Sequence, residues 1–119
     1  MTTRKTIMII EDEPAICDLL KRVLELEGYD TMVAPNGQAA IELLKTGPKP
    51  CLILLDNMMP VMSGTEFIKT ISQDHLIATI PVAMVSAYEE PANVGHAKAF
   101  IKKPIDFDAL LKFVKEWCG

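Results

Sequence analysis

Cys51-Leu52-Ile53-Leu54-Leu55-Asp56 is the stretch on which the fold turns. A short aliphatic run with no polar residue at alternate positions reads as a β-strand buried on both faces, as in a parallel sheet. It stops abruptly at an aspartate. The same signature recurs on both sides of it. Upstream, Thr6-Ile7-Met8-Ile9-Ile10 runs into Glu11-Asp12-Glu13. Downstream, Pro81 to Val85 ends at Ser86, and Ala99-Phe100-Ile101 ends at Lys102-Lys103-Pro104. Tyr29 to Ala34 is also strand-like and is broken by Pro35-Asn36-Gly37.

Helical patterns fill the gaps. Pro14 suits the first turn of a helix, with the preceding acids at the positive end of its dipole. Ile16, Leu19, Leu20, Val23 and Leu24 follow at helical spacing, and Gly28 supplies the stop. Ala40, Ile41, Leu43 and Leu44 predict a second helix, closed by Gly47-Pro48. Ser63-Gly64-Thr65-Glu66 has the capping-box pattern ahead of Phe67, Ile68 and Ile71. Asp106 is placed to cap a last helix whose apolar positions are Leu110, Leu111, Val114 and Trp117. Strands and helices thus alternate, which predicts an α/β fold: a doubly wound, five-stranded parallel sheet covered on both faces.

Composition narrows the function classes. The 119 residues suit one domain, spanning 1–119, and with 50% hydrophobic and 24% charged residues they describe a globular chain. A net charge of −4 argues against direct nucleic-acid binding, which usually shows a basic excess. No basic segment followed by an apolar run opens the chain, and its apolar runs are strand-sized, so no signal peptide and no membrane partner are expected. The three cysteines, Cys17, Cys51 and Cys118, are odd in number and lack metal-ligand spacing. Cys17 and Cys51 lie in apolar patterns and read as small core hydrophobes, which fits a reducing, cytoplasmic setting. His75 and His96 have no partner at ligand spacing and read as surface residues.

The polar residues carry the chemistry. Glu11, Asp12, Asp56, Ser86 and Lys103 each fall at or just past the carboxyl end of an apolar strand. Ligands of open α/β sheets bind in the crevice outside those ends. Each residue alone has a plainer account: acids at a helix start, a turn aspartate, a strand-end serine, a solvated lysine. Taken together, three carboxylates would share one pocket. At an effective dielectric of ~20, two unit charges 4 Å apart repel by about 4 kcal/mol. Such a pocket raises carboxylate pKa values or holds a cation, and oxygen donors without thiolate or imidazole favour Mg²⁺, with Mn²⁺ as the alternative. A carboxylate beside such an ion can act as a nucleophile toward phosphorus.

In this order the parts resemble the receiver domain of bacterial two-component response regulators, of the chemotaxis-regulator type. The resemblance covers essentially the whole chain. It rests on Ile9-Ile10-Glu11-Asp12-Glu13-Pro14, Leu55-Asp56-Asn57-Met58-Met59-Pro60, Met62-Ser63-Gly64, Ser86-Ala87 and Lys103-Pro104. It implies the flavodoxin-like strand order 2-1-3-4-5. It implies Asp56 as phosphoacceptor, Asp12 as direct metal ligand and Glu11 as an acid acting on the metal through water. It further implies that Met58 offers its backbone carbonyl to the metal and that Lys103 binds the phosphoryl group. Ser86 and Phe100 match the family's switch hydroxyl and switch aromatic. The implied partners are a histidine kinase or phosphotransfer protein upstream and an output protein of unknown identity downstream. The implied activity is limited self-phosphorylation and self-dephosphorylation, not metabolic catalysis. The leading expectation is a module with no attached effector, and a segment of a longer regulator or hybrid kinase is the alternative.

Two positions depart from the family pattern. Glu11 replaces the commoner aspartate. The span from Ser86 to Lys103 is roughly a turn and a half of helix short, and its Pro91 and Gly95 predict a short or irregular fourth helix between strands 4 and 5.

Three other functions compete. A haloacid-dehalogenase-type hydrolase would carry a second aspartate two residues after Asp12, where Pro14 stands. A flavodoxin-like cofactor binder would carry phosphate-cradling glycines or hydroxyls after strand 1. A non-phosphorylated pseudo-receiver would lack Asp56 or Lys103, and both are present.

Overall fold

The computed structural model describes residues 5–56, 64–71, 73–74, 77–86, 97–102 and 105–119. The apolar runs become β1 (Thr6–Ile10), β3 (Leu52–Asp56) and β4 (Val82–Ser86). With β2 (Asp30–Ala34) and β5 (Ala97–Lys102) they form a five-stranded sheet in the order β2-β1-β3-β4-β5, every pairing parallel. This is the flavodoxin-like doubly wound order. Four helices are described: α1 (Pro14–Leu26), α2 (Gly37–Thr46), α3 (Gly64–Ile71) and α4 (Phe107–Cys118).

The continuity of the apolar runs has a direct cause. Successive strand residues point to opposite faces, and here both faces are covered. Met8, Ile10, Ile53 and Leu55 point into one layer, with Ile41 and Leu44 of α2 and Phe67 and Ile71 of α3. Ile7, Ile9, Leu52 and Leu54 point into the other, with Leu20 and Leu24 of α1 and Leu110 and Val114 of α4. Ile7 to Ile10 and Leu52 to Leu55 are 0–1% exposed, and each such aliphatic chain contributes about 1.5–3 kcal/mol by leaving water.

Helix ends follow local chemistry. At the end of α1 the amide of Tyr29 donates to Leu24 O and that of Gly28 to Glu25 O, both at 3.1 Å. This double closure needs a left-handed residue, and Gly28 has φ 96°. Asp106 caps α4 as predicted, its carboxylate accepting from Ala109 N at 3.2 Å. Asn36, read from sequence as a strand breaker, also caps α2, accepting from Ala39 N at 2.9 Å.

Several expectations are corrected. Leu19 and Trp117 were placed on apolar stripes but are 48% and 40% exposed. Cys118, one position on from Trp117, takes the buried place after Val114. Tyr29 is buried but precedes β2, and β5 begins at Ala97 instead of Ala99. A register shift at Val82/Ala83 leaves Lys98 without a counterpart in β4, which hides the strand's start from an apolar-run reading.

The largest correction concerns the cysteines. Cys51 and Cys118 are not two free thiols: they form a disulfide, with Cα atoms 5.6 Å apart across a sequence separation of 67. The fold brings the start of β3 under the end of α4, within disulfide reach, and linear spacing cannot show this. In the chain-entropy view, closing a loop of that length is worth about 4 kcal/mol. Cys17 alone among the three lies outside the disulfide, and it is buried as predicted. The short fourth helix expected between β4 and β5 falls on residues 87–96, outside the described residues, as do Ser63, His75 and His96.

Candidate functional site

The pairing register decides which polar residues meet. Ile10 of β1 is level with Leu55 of β3, so Glu11 and Asp56, each one residue further on, are neighbours along the carboxyl edge of the sheet. Asp56 in turn is level with Val85, and Ser86 follows as the last residue of β4. Ser86 pairs with Lys102, the last residue of β5, so β5 also ends at this edge. The backbone therefore delivers Glu11, Asp12, Asp56 and Ser86 to one end of β1, β3 and β4.

The turn after β1 is held firmly. Glu11 N donates to Ala34 O at 3.1 Å, extending the β1–β2 ladder by one rung. Glu11 O accepts from Cys17 Sγ at 3.2 Å, a buried contact back from the first turns of α1. Glu13 is the N-cap of α1, with its carbonyl accepting from Ile16 N and Cys17 N, and Pro14 follows where a missing amide costs nothing. Cys17 was read as a core filler. Its burial agrees, but its thiol also fastens the acidic turn, a role for which an apolar stripe offers no signal.

The two acids of this turn differ sharply. Glu11 is 3% exposed, the one buried charged residue among those described, whereas Asp12 is exposed. A carboxylate withdrawn this far from water is tolerated only beside hydrogen-bond donors or a cation.

The donor set fits a hard divalent cation. Its side-chain members, Glu11, Asp12 and Asp56, are carboxylates, and oxygen-only sets suit Mg²⁺. Among the described residues, no three His, Cys, Asp or Glu gather into a metal-holding group. The side chains of Asp56 and Ser86, the side chain of Phe100 in β5, and all of Met58 and Lys103 lie outside what is described. A surface depression of about 390 Å³ on α1, lined by Asp18, Lys21, Arg22, Glu25 and Leu26, contains none of these residues.

A parallel β2-β1-β3-β4-β5 sheet with an acidic turn after β1 beside an aspartate ending β3 defines a class of flavodoxin-like α/β proteins. Comparison with known proteins narrows it. The family model described as the response regulator receiver domain matches residues 7–115. The chain belongs to that family. It is 33% identical to the polar-differentiation response regulator DivK of Brucella anthropi, the match covering 97% of each protein. Among solved structures, it is similar to the signal receiver domain of a signal transduction histidine kinase from Syntrophus aciditrophicus. That match has 32% identity and a TM-score of 0.87, covering 95% of this chain and 89% of the other. A CheY-like receiver domain protein from Methanospirillum hungatei aligns with 30% identity and a TM-score of 0.85, covering 96% and 93% of the two chains. Among the described residues no helix is long and apolar enough to cross a membrane.

Proposed function

We propose that this chain is a phosphorylation-controlled signalling module that accepts a phosphoryl group on Asp56 from a histidine kinase or phosphotransfer protein. The observation that carries the proposal is the β1–β3 register, which sets Asp56 beside the acidic turn of Glu11 and Asp12 in a chain of the receiver family. An oxygen of the Asp56 carboxylate attacks phosphorus, forming an O–P bond. The P–N bond to the donor histidine breaks, and the imidazole takes the electron pair. The residues that would hold Mg²⁺, or Mn²⁺ in its place, are Asp12, Asp56, the Met58 carbonyl and, through water, Glu11. A bound ion would offset negative charge on the phosphoryl oxygens.

Lys103 would add a second positive charge to those oxygens, and Ser86 a hydrogen bond. Recruitment of Ser86, with a change at Phe100, would convey the modified state to a protein-binding face for an output partner. The presence of both Asp56 and Lys103 favours this over a non-phosphorylated pseudo-receiver. The chain would act as one domain in the cytoplasm, with no direct nucleic-acid role and no catalysis beyond its own phosphorylation and dephosphorylation. Incubation with acetyl phosphate and Mg²⁺, read by intact mass, tests it. One phosphoryl group should add to the wild type and none to Asp56→Asn, and equal labelling of both proteins would remove Asp56 from the role.

A further inference from the structure

The covalent link between Cys51 and Cys118 lies at the opposite end of the sheet from Asp56. Cys51 precedes β3, whose five residues carry the chain from the amino edge to Asp56, roughly 17 Å at the rise of a strand. Cys118 is the last residue of α4. The phosphoryl chemistry makes no use of either sulfur.

The two cysteines differ in surroundings. Cys118 is 1% exposed inside the layer shared by α1 and α4, whereas Cys51 is half-buried at the rim of that layer. An incoming thiolate therefore reaches the Cys51 sulfur more readily and expels Cys118. The leaving thiolate emerges into apolar surroundings that disfavour its charge, so it takes up a proton. The reduced state also has a resting place in the fold. Thr6 O lies 3.4 Å from Cys51 Sγ and is positioned to accept the thiol's proton.

What the bond holds is the last turn of a helix. Leu110, Val114 and Cys118 are the buried residues of α4, spaced four apart, so Cys118 is the final anchor of that stripe. Beyond Val114 the helix surface is otherwise exposed, including Trp117 at 40%. Trp117 sits in tilted contact with Phe113, ring centroids 5.9 Å apart. Without the covalent anchor, one buried cysteine side chain must hold the end of the helix against fraying.

We propose that Cys51 and Cys118 are a redox-responsive modification site, a dithiol–disulfide pair that latches the last turn of α4 to the amino edge of the sheet. The exchange partner is a low-molecular-weight thiol. One thiolate attacks Cys51, the Cys51–Cys118 bond breaks, and a mixed disulfide forms on Cys51. A second thiolate attacks the small-molecule sulfur of that adduct, releasing a small-molecule disulfide and the Cys51 thiol. Two thiols are oxidised and one protein disulfide is reduced; oxidation runs the same steps backward, with a small-molecule disulfide as oxidant. Disulfides in reducing compartments are chiefly of this exchanging, sensing kind. The proposal stands whether or not Asp56 accepts phosphate.

Equilibration of the whole protein in glutathione disulfide or in excess dithiothreitol, followed by denaturation and maleimide labelling, tests it. The oxidised protein should carry one label, on Cys17, and a linked Cys51–Cys118 peptide pair; the reduced protein should carry three labels. Reduction should lower Tm on the order of 10 °C. It should also speed amide exchange in residues 115–119 by roughly tenfold or more, with a change in Trp117 fluorescence. Cys51→Ser, which leaves the buried Cys118 in place, should match the reduced wild type and ignore glutathione disulfide. Three labels after oxidation, or a stable glutathione adduct on Cys51 with Cys118 free, overturns the pairing. A linked pair whose reduction leaves Tm and the exchange of the last turn unchanged overturns the latch.

Discussion

The two edges of the sheet are built on opposite plans. At the amino edge the backbone continues the ladder beyond the strands: Asp30 N donates to Lys5 O, Cys51 N to Thr6 O and Ile53 N to Pro81 O, at 2.9–3.0 Å. A disulfide closes the same edge against α4. At the carboxyl edge the ladder runs one rung past β1, to Glu11, where Asp12 follows on the turn and Asp56 and Ser86 end β3 and β4. One edge closes its backbone ladder and ties it to α4, and the other places Glu11, Asp12 and Asp56 at the strand ends. Changes at the carboxyl edge should therefore alter reactivity while sparing stability, and changes at the amino edge and interior should do the reverse.

The largest expected effect is all-or-none. Asp56→Asn should abolish phosphoryl gain from acetyl phosphate while leaving the urea midpoint near that of the wild type. A variant that fails to fold would break the contrast, since it would make Asp56 structural. Next is Leu54→Ala, which empties a site 1% exposed between two layers. It should cost about 2–5 kcal/mol in urea unfolding, and the folded protein should still accept phosphate. A cost below about 1 kcal/mol would mean that the layers close over the gap.

Asp106→Ala removes the cap of α4 and should cost about 1 kcal/mol by the same measurement. Asp12→Ala has the smallest expected effect on stability. Asp12 is exposed, so the metal-free protein should change by no more than about 0.5 kcal/mol, in the stabilising direction as repulsion is relieved. Mg²⁺ binding, followed by calorimetry, should weaken markedly. A clearly destabilised metal-free variant with unaltered Mg²⁺ affinity would show that Asp12 belongs to the scaffold.

The strands were legible because burial on both faces leaves an unbroken aliphatic signature, as in Leu52 to Leu55. The turn after β1 was legible because acids and a proline directly after such a run end a strand and open a helix. Helix faces were read less well. Leu19 and Trp117 have the right spacing for their stripes, but periodicity alone does not say where a stripe's border lies, and both came out half-exposed. β5 was read two residues short because Ala97 and Lys98 lack aliphatic bulk and flank a register shift. The disulfide was illegible for a different reason: its two residues meet only after β3 and α4 dock. Cys17 was read correctly as buried, but nothing in its neighbourhood announced that its thiol would fasten the carbonyl of Glu11.

The strand order also sets a timetable for biosynthesis. β1 lies between β2 and β3 and pairs with both. As the chain leaves the ribosome, β2 follows β1 after a single helix, but β3 emerges roughly 40 residues behind, several seconds later at about 5–20 residues per second. Through that interval Ile7 to Ile10, all fated to be 0–1% exposed, have one flank still unpaired. A nascent chain stalled before Leu52 would therefore present an aliphatic strand with an open hydrogen-bonding edge, the kind of segment that chaperones shield and that otherwise seeds aggregation.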